Sequence, residues 1–260
     1  MVLKAVLWDV DGTLAETERD GHRVAFNLAF EACGLDWRWD DARYGDLLRI
    51  TGGRERLLHD MRSRTDAPPL AGERDALARK VHAKKNGLYG DLVRSGAIPL
   101  REGVVELMQQ CRERGVRMGI ATTTSRSNVE ALLSVHLGAR WQDGFSAVVC
   151  GEDVRSKKPD PEVFNLALRA MGIGPLEAVA IEDSPGGVAA ARAADIPVVV
   201  TRSAYFAEAA IDAAIAIGPG LDQRQGWQPE LPPSSRAGAL VGLDDIEAWL
   251  ARMPIVSHHP

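Results

Sequence analysis

The sequence predicts an α/β protein with a doubly wound, mostly parallel sheet and an all-helical domain inserted after the first strand. Three observations lead to this fold class. A short apolar run opens the chain, and residues 16–92 contain no segment that alternates like a strand. After Pro99, short apolar runs alternate with helical segments of about ten residues, a pattern typical of parallel strands joined by right-handed crossovers.

Composition limits the class of function. The chain has 260 residues, 45% of them hydrophobic, enough for one large core or for one core and a smaller module. The 31 basic and 36 acidic residues are interspersed, which argues against a nucleic-acid or membrane partner. Three widely spaced cysteines fit a reducing compartment, and the opening apolar run is too short for a signal peptide or a membrane-spanning helix. We expect a cytoplasmic monomer.

The first strand delivers two carboxylates. Asp9 and Asp11 lie within the otherwise apolar run at residues 6–14, and Gly12 allows the chain to turn sharply there. In an α/β sheet, ligands bind at the carboxyl ends of the strands. An isolated Asp-x-Asp-Gly would more often be a turn with solvated aspartates, so the rest of the chain has to decide between these alternatives.

The insertion is predicted to be helical throughout. One helix follows Arg23, a second covers residues 40–49 and ends near Gly52 and Gly53, and a third covers residues 73–89 after a proline-containing loop at 66–72. Trp37 and Trp39 are expected to pack inside this group rather than contact a ligand.

Alternating elements follow the insertion. Helices are predicted over residues 102–114, 127–136, 161–171 and 186–194, and strands over residues 116–121, 147–150, 178–181 and 197–200. We expect residues 218–238 to form a polar surface excursion, residues 241–253 a closing helix and residues 258–260 a loose tail. Residues 1–15 and 93–260 would then form a Rossmann-like core, and residues 16–92 a separate cap.

Polar residues follow the later core strands. Thr122, Thr123, Thr124 and Ser125 stand where a strand gives way to a helix, so their hydroxyls and amides could hold phosphate oxygens. Ordinary capping of that helix is an equally good explanation for Thr122.

Two adjacent lysines precede Pro159. A lysine fixed beside a proline can neutralise both a phosphate and a carboxylate, although a solvated basic pair is the simpler explanation. Of Lys157 and Lys158, we favour Lys158, which lies directly before the proline.

Two acidic residues, Glu182 and Asp183, end another core strand. With Asp9 they would form a cluster of oxygen ligands suited to Mg²⁺. Without a cation, carboxylates packed so closely would repel one another and raise one another's pKa. We therefore expect Mg²⁺ to bind beside Asp9, Glu182 and Asp183.

These features resemble the four ordered motifs of the haloacid dehalogenase-like phosphotransferase superfamily. The motifs are Asp9-Val10-Asp11-Gly12-Thr13, Thr122, Lys158, and Glu182-Asp183, and residues 16–92 are placed like the small cap of that superfamily. The resemblance implies that Asp9 attacks phosphorus and that Asp11 protonates the leaving oxygen and then activates water. It assigns Mg²⁺ to Asp9, the backbone carbonyl of Asp11 and Asp183, with Glu182 in or near the coordination sphere. Dehalogenase relatives generally lack the second aspartate, so Asp11 argues against that activity.

The cap resembles that of the CbbY-like phosphatases. The matching segments are Glu16-Thr17-Glu18, Gly21-His22-Arg23, Ala25-Phe26-Asn27, Trp37, Trp39, Tyr44, Leu47-Leu48 and Gly52-Gly53-Arg54-Glu55-Arg56. The resemblance implies removal of phosphate from xylulose 1,5-bisphosphate, an inhibitor of Rubisco, to give xylulose 5-phosphate. It assigns the sugar and its second phosphate to Glu18, Tyr44, Gly52 and Arg56. We also expect substrate contacts from Gly53, Thr123, Thr124 and Arg126, and a structural or hinge role for His22.

Alternatives to the phosphatase stay open at this stage. Sugar phosphomutases related to β-phosphoglucomutase share the core and cap layout, but must protect the phospho-enzyme from water. A non-catalytic descendant could bind sugar phosphates or a protein partner, although the presence of both Asp9 and Asp11 argues against it. The glycine pair, taken alone, would more often end a helix than contact a ligand.

Overall fold

A computed structural model of the chain describes residues 2–231 and 240–253. The strands are β1 (Ala5–Trp8), β2 (Arg117–Ala121), β3 (Ala147–Val149), β4 (Ala178–Glu182), β5 (Val198–Thr201) and β6 (Ala216–Gly218). The helices are α1 (Arg23–Ala32), α2 (Asp41–Leu47), α3 (Gly53–Met61), α4 (Ala71–Arg94), α5 (Val104–Glu113), α6 (Arg126–Leu137), α7 (Glu162–Met171), α8 (Pro185–Ala193) and α9 (Leu243–Ala251). A π-helical turn, Glu18–His22, leads directly into α1.

The sheet is parallel, with the strand order β3-β2-β1-β4-β5-β6. This confirms the predicted fold class. The order changes direction between β1 and β4, and the crevice at the carboxyl ends of such a pair is the usual ligand site of an open α/β sheet. Strand β6 was not predicted, and the surface excursion predicted from residue 218 begins at its last residue, Gly218.

The sheet is covered on both faces. Alternate residues of β1 enter two different apolar clusters, Val6 and Trp8 on one side and Leu7 on the other. Each large side chain buried in this way stabilises the fold by about 1.5–3 kcal/mol. Because β1 is buried on both faces, it reads as a continuous apolar run, and the carboxylates that follow it have a rigid base.

The insertion has an apolar cluster of its own. Phe26, Phe30, Trp37 and Trp39 lie within it, which confirms that the two tryptophans pack inside the insertion. Helix α4 is longer than the predicted segment at residues 73–89 and extends to Arg94.

The glycine pair begins a helix rather than ending one. Helix α2 already ends at Leu47, and Gly53 is the first residue of α3, which was not predicted. Gly52 precedes it with a φ of 99°, a conformation that L side chains rarely adopt. The expectation of a helix end near Gly52 and Gly53 was therefore wrong, because a glycine needed for a positive φ was taken as a C-cap.

The stretch after β6 is only partly a surface excursion. Trp227 is buried, and its ring lies 4.7 Å from that of Trp249 on α9. Residues 232–238 of the predicted excursion and the tail at 258–260 lie outside the described residues. Within the described residues, no helix has the length and hydropathy needed to span a bilayer. The cysteines Cys33, Cys111 and Cys150 are free thiols.

Candidate active site

A cavity of about 590 Å³ opens at the carboxyl ends of β1, β2 and β4, beneath the helical insertion. From the predicted site, its wall includes Asp9, Asp11, Glu18, Gly52, Gly53, Arg56, Thr122, Thr123, Thr124, Lys158 and Asp183. Three predicted residues do not line it. Glu182 and Tyr44 are buried behind the wall, and the guanidinium of Arg126 pairs with Asp153 instead.

The carboxylates predicted to hold a metal do converge. One oxygen from each of Asp9, Glu182 and Asp183 can be chosen so that all three lie within 4.8 Å of one another, and all three residues are buried. The ammonium of Lys158 donates to Oδ1 of Asp9 and to Oε1 of Glu182, each at 2.6 Å. The structure therefore brings Lys158, rather than Lys157, to the acidic cluster, while Lys157 pairs with Glu55 of the insertion at 3.0 Å.

The electrostatics of this cluster fit a divalent cation. Burial, and next the charge of Glu182, raise the pKa of Asp9 to about 8, although Lys158 opposes the shift. Burial and the charge of Asp9 likewise raise the pKa of Asp183. Asp9 and Asp183, whose buried negative charges are disfavoured in this way, are oxygen groups that suit a hard divalent ion such as Mg²⁺.

Gly12 and two residues that were not predicted support the cluster. Gly12 has a φ of 86°, and a Cβ at this position would overlap Oδ2 of Asp183. Ser203 donates to the same oxygen at 2.6 Å, and Arg101 donates to the carbonyl of Gly12. Neither Ser203 nor Arg101 belongs to a local motif, so only the folded chain reveals them.

Asp11 is oriented by residues from the insertion. Thr17 and His22 donate to Oδ1 of Asp11 at 2.6 and 3.0 Å, and Lys85 lies 2.9 Å from the other ring nitrogen of His22. Burial opposes ionisation of Asp11, but the charge and hydrogen bond of His22 outweigh it and lower the pKa of Asp11. Burial lowers the pKa of Lys85 to about 8. His22 thus contacts an acid of the site and also lines the cavity.

The threonine segment forms another wall. The amide of Thr122 continues the strand pairing with the carbonyl of Val149, and the hydroxyl of Thr124 accepts from Asn128 at 3.3 Å. Ser125 precedes α6 but makes no side-chain cap bond. In the first turn of α6, the amide of Arg126 donates to the carboxylate of Glu152 at 3.0 Å, so Glu152 caps part of this helix start in place of Ser125.

The predicted cap residues form one hydrogen-bonded cluster. The guanidinium of Arg56 donates two hydrogen bonds to Glu18, at 3.0 Å to Oε1 and 3.2 Å to Oε2. Tyr44 donates to Glu18 and accepts from Arg56 at 3.1 Å, and the Nε of Arg56 donates to the carbonyl of Ile50 at 2.9 Å. Since Glu18 and Arg56 line the cavity and Tyr44 lies behind them, Tyr44 acts here as a support for the other two.

Comparison with known proteins identifies the family. Residues 3–195 match the model of the haloacid dehalogenase-like hydrolases. The chain belongs to this family.

Within these hydrolases the chain is similar to the CbbY proteins. It is 38% identical to the plasmid-encoded protein CbbY of Cupriavidus necator, over 95% of this chain and 96% of that protein. It is 43% identical to protein CbbY of Rhodobacter capsulatus, over 79% and 88% of the two chains.

A solved structure of a relative also matches. A CbbY from Rhodobacter sphaeroides, in an aspartate-to-asparagine variant complexed with xylulose-(1,5)bisphosphate, superimposes with a TM-score of 0.75 at 38% identity, covering 82% of this chain and 92% of that one. The chain is thus a haloacid dehalogenase-like phosphatase of the CbbY kind, as its motifs indicated.

For this phosphatase, divalent cations are expected to raise the melting temperature. A single site at a hundredfold excess of Mg²⁺ over its Kd stabilises a protein by about 2.7 kcal/mol, which is on the order of 5–10 °C for a chain of this size. Differential scanning fluorimetry with Mg²⁺ and with a chelator measures the shift. We expect Asp183→Asn to remove most of it.

Asp195→Asn makes the same chemical change at an exposed residue outside the cavity wall. Asp195 has a φ of 58°, which asparagine tolerates. This control variant should keep the full shift. An equal shift in all three proteins would contradict a cation site at the acidic cluster.

Proposed function

We propose that this phosphatase hydrolyses a phosphorylated sugar through an aspartyl-phosphate intermediate, and that its substrate is xylulose 1,5-bisphosphate, converted to xylulose 5-phosphate and phosphate. One observation carries the proposal: Asp9 and the Glu18–Arg56 pair line the same cavity. A substrate in it could present one phosphate to Asp9 while its sugar and second phosphate meet the insertion.

In the first step, an oxygen of Asp9 attacks phosphorus and the bond from phosphorus to the sugar oxygen breaks. Lys158 reduces the repulsion between the two anions, and it holds Asp9 in place through the 2.6 Å bond. The leaving sugar oxygen takes a proton from Asp11. An anionic phosphoryl group beside Asp11 would raise its lowered pKa and so favour the protonated acid.

In the second step, Asp11 acts as a base. It removes a proton from water, the water oxygen bonds to phosphorus, and the bond to Asp9 breaks to release phosphate. Thr17 and His22 both contact Oδ1 of Asp11, and among the described residues no hydrogen bond involves Oδ2. That oxygen is therefore available for proton transfer in both steps.

We assign Mg²⁺ to Asp9, Asp183 and the backbone carbonyl of Asp11, with Glu182 beside it. When bound, the ion supplies positive charge that offsets the repulsion between carboxylate and phosphate. The convergence of Asp9, Glu182 and Asp183 supports this assignment. The bond from Lys158 to Glu182 gives Glu182 a second role, which is to orient the lysine.

We assign substrate selection to residues 16–92, the cap. Arg56 donates four hydrogen bonds, which go to Glu18, Tyr44 and the carbonyl of Ile50. This leaves one of its five N–H groups for a ligand. The first turn of α3, at Gly53 and Arg54, also lines the cavity, and unpaired N–H groups of a helix start bind phosphate well.

The proposal is tested by assaying phosphate release over pentulose and hexose mono- and bisphosphates. We expect Arg56→Ala to raise KM for the bisphosphate by at least about tenfold, equivalent to about 1.4 kcal/mol, and to change KM for monophosphates much less. Arg79→Ala, an exposed arginine that pairs with Asp75 outside the cavity wall, is the control. An equal rise in KM for both substrate classes would contradict binding of the second phosphate by Arg56.

The same assay distinguishes the mutase alternative. A phosphomutase would convert one sugar monophosphate into its isomer, would release little phosphate and would need a bisphosphate for activation. Product analysis that found isomerisation without phosphate release would overturn the proposed hydrolysis.

A further inference from the structure

A core segment after β5, residues 203–206, reaches into the cap. Among the described residues that pack against the apolar cluster of the cap, Tyr205 and Phe206 come from outside residues 16–92. The ring of Tyr205 lies 5.6 Å from that of Tyr44, and its hydroxyl donates to Asp41 at 3.1 Å. Tyr205 thus contacts the beginning and the middle of α2.

The base of this segment is fixed to the core. Ser203 donates to Asp183 of the acidic cluster at 2.6 Å, and Arg202 donates to the carbonyls of Phe206 and Ala209, each at 3.0 Å. The amide of Ala204 donates to the carboxylate of Glu16, where the cap begins. Tyr205 lies two residues after Ser203, which contacts Asp183. The position of Tyr205 is therefore fixed relative to the acidic cluster.

The contact reaches the sugar end of the cavity through one side chain. Tyr44, which packs against Tyr205, donates to Glu18 and accepts from Arg56. Glu18 and Arg56 line the cavity wall that faces the core. A shift of Tyr44 would therefore displace both groups assigned to the sugar and its second phosphate.

Another contact between cap and core is weaker. The ion pair of Lys157 and Glu55 is 29% and 46% exposed at its side chains, and exposed pairs contribute little because water screens them. The ring contact of Tyr205 with Tyr44 is partly buried and therefore less screened, whereas its hydrogen bond to Asp41 is exposed and adds little. Burial, together with the bond to Asp41, raises the pKa of Tyr205 to about 12, so the phenol stays a donor at neutral pH.

We propose that Tyr205 is a positioning residue for catalysis, which docks α2 on the core and so holds Glu18 and Arg56 at the correct distance from Asp9. This inference rests on the proposed function, because it assigns the sugar to the cap. Its consequence is selective: substrates that bind Glu18 and Arg56 depend on Tyr205, whereas a small phosphate ester that uses only Asp9 and Asp11 depends on it much less.

The experiment compares Tyr205→Ala and Tyr205→Phe with the wild-type protein on xylulose 1,5-bisphosphate and on p-nitrophenyl phosphate. For Tyr205→Ala we expect kcat/KM for the bisphosphate to fall by at least about tenfold, since small misplacements of binding groups are costly. Its kcat/KM for p-nitrophenyl phosphate should change less than about twofold. Tyr205→Phe keeps the ring contact and should lie between the wild type and Tyr205→Ala on the bisphosphate. Equal losses of Tyr205→Ala on both substrates would indicate a merely structural role and overturn the inference.

Hydrogen–deuterium exchange gives a readout that is independent of the substrate. In Tyr205→Ala, amides of α2 should exchange at least about threefold faster than in the wild type, while those of α7, far along the core, keep their rates. Unchanged exchange in α2 would contradict the docking role. If the wild-type protein failed to hydrolyse the bisphosphate, the proposed function would fail, but faster exchange in α2 would still support docking by Tyr205.

Discussion

Asp9→Asn is expected to lower phosphate release by at least about 10⁴-fold, a loss comparable to that of other covalent nucleophiles. The amide is a poor nucleophile toward phosphorus, and it cannot form the ion pair that Asp9 makes with Lys158 at 2.6 Å. Single-turnover assays with Mg²⁺ and excess enzyme measure the chemical step directly. Turnover near that of the wild type would refute the assignment of Asp9 as nucleophile.

Stability separates this effect from unfolding. Burial raises the pKa of Asp9 to about 8, which means that the fold disfavours its charged form. Replacing Asp9 by the neutral asparagine removes that penalty, so in chelator the melting temperature of the variant should equal or exceed that of the wild type. A variant that is inactive and also far less stable would leave misfolding as the explanation and would contradict this electrostatic argument.

Lys158→Met is expected to reduce both activity and stability. The Lys158 side chain is 5% exposed and its ammonium bonds to Asp9 and Glu182, so its removal leaves two buried carboxylates without their cation. Breaking a buried pair in this way costs about 3–5 kcal/mol, a fall in melting temperature on the order of 10 °C. We expect kcat to fall by about 10²–10³-fold, as on removal of another electrostatic group. Mg²⁺ should restore part of the stability, because it neutralises the same carboxylates.

Lys157→Met is the matched control for this prediction. It removes the same charge one residue earlier, but Lys157 forms a partly exposed pair with Glu55 that is worth at most about 1 kcal/mol. Chemical denaturation and steady-state kinetics on both variants rank the two lysines. A larger loss in Lys157→Met would reverse the assignment of the lysine that serves the site.

Much of the core site could be predicted from the sequence because its chemistry is local to strand ends. Asp9, Lys158 and Asp183 each follow or precede an element whose apolar pattern is clear, and parallel strands bring their carboxyl ends to one edge. The sequence favoured Lys158 over Lys157 only because Lys158 lies directly before Pro159. Which lysine reaches Asp9 depends on where each side chain points from the loop, and a local sequence pattern does not show this for two adjacent lysines.

The missed residues lie far apart along the chain. Lys85 is one of many charged residues on α4, and only the packing of α4 against the π-helical turn makes it a buried partner of His22. Ser203 and Tyr205 are ordinary loop residues until β5 places them between Asp183 and the cap. Arg126, which was predicted to contact substrate, lies outside the cavity wall, and its side chain pairs with Asp153.

Helix α4 has a consequence for exchanging caps between relatives. Its first half supplies Ala78 and Val81 to the apolar cluster of the insertion, whereas Tyr89 and Val93 belong to the cluster that covers the sheet. Helix α4 is thus shared: its first half packs within the insertion, and its last turns pack on the core. A chimaera that carries the insertion of a relative should therefore be joined within α4, between Val81 and Tyr89, so that Tyr89 and Val93 keep their native contacts with the core.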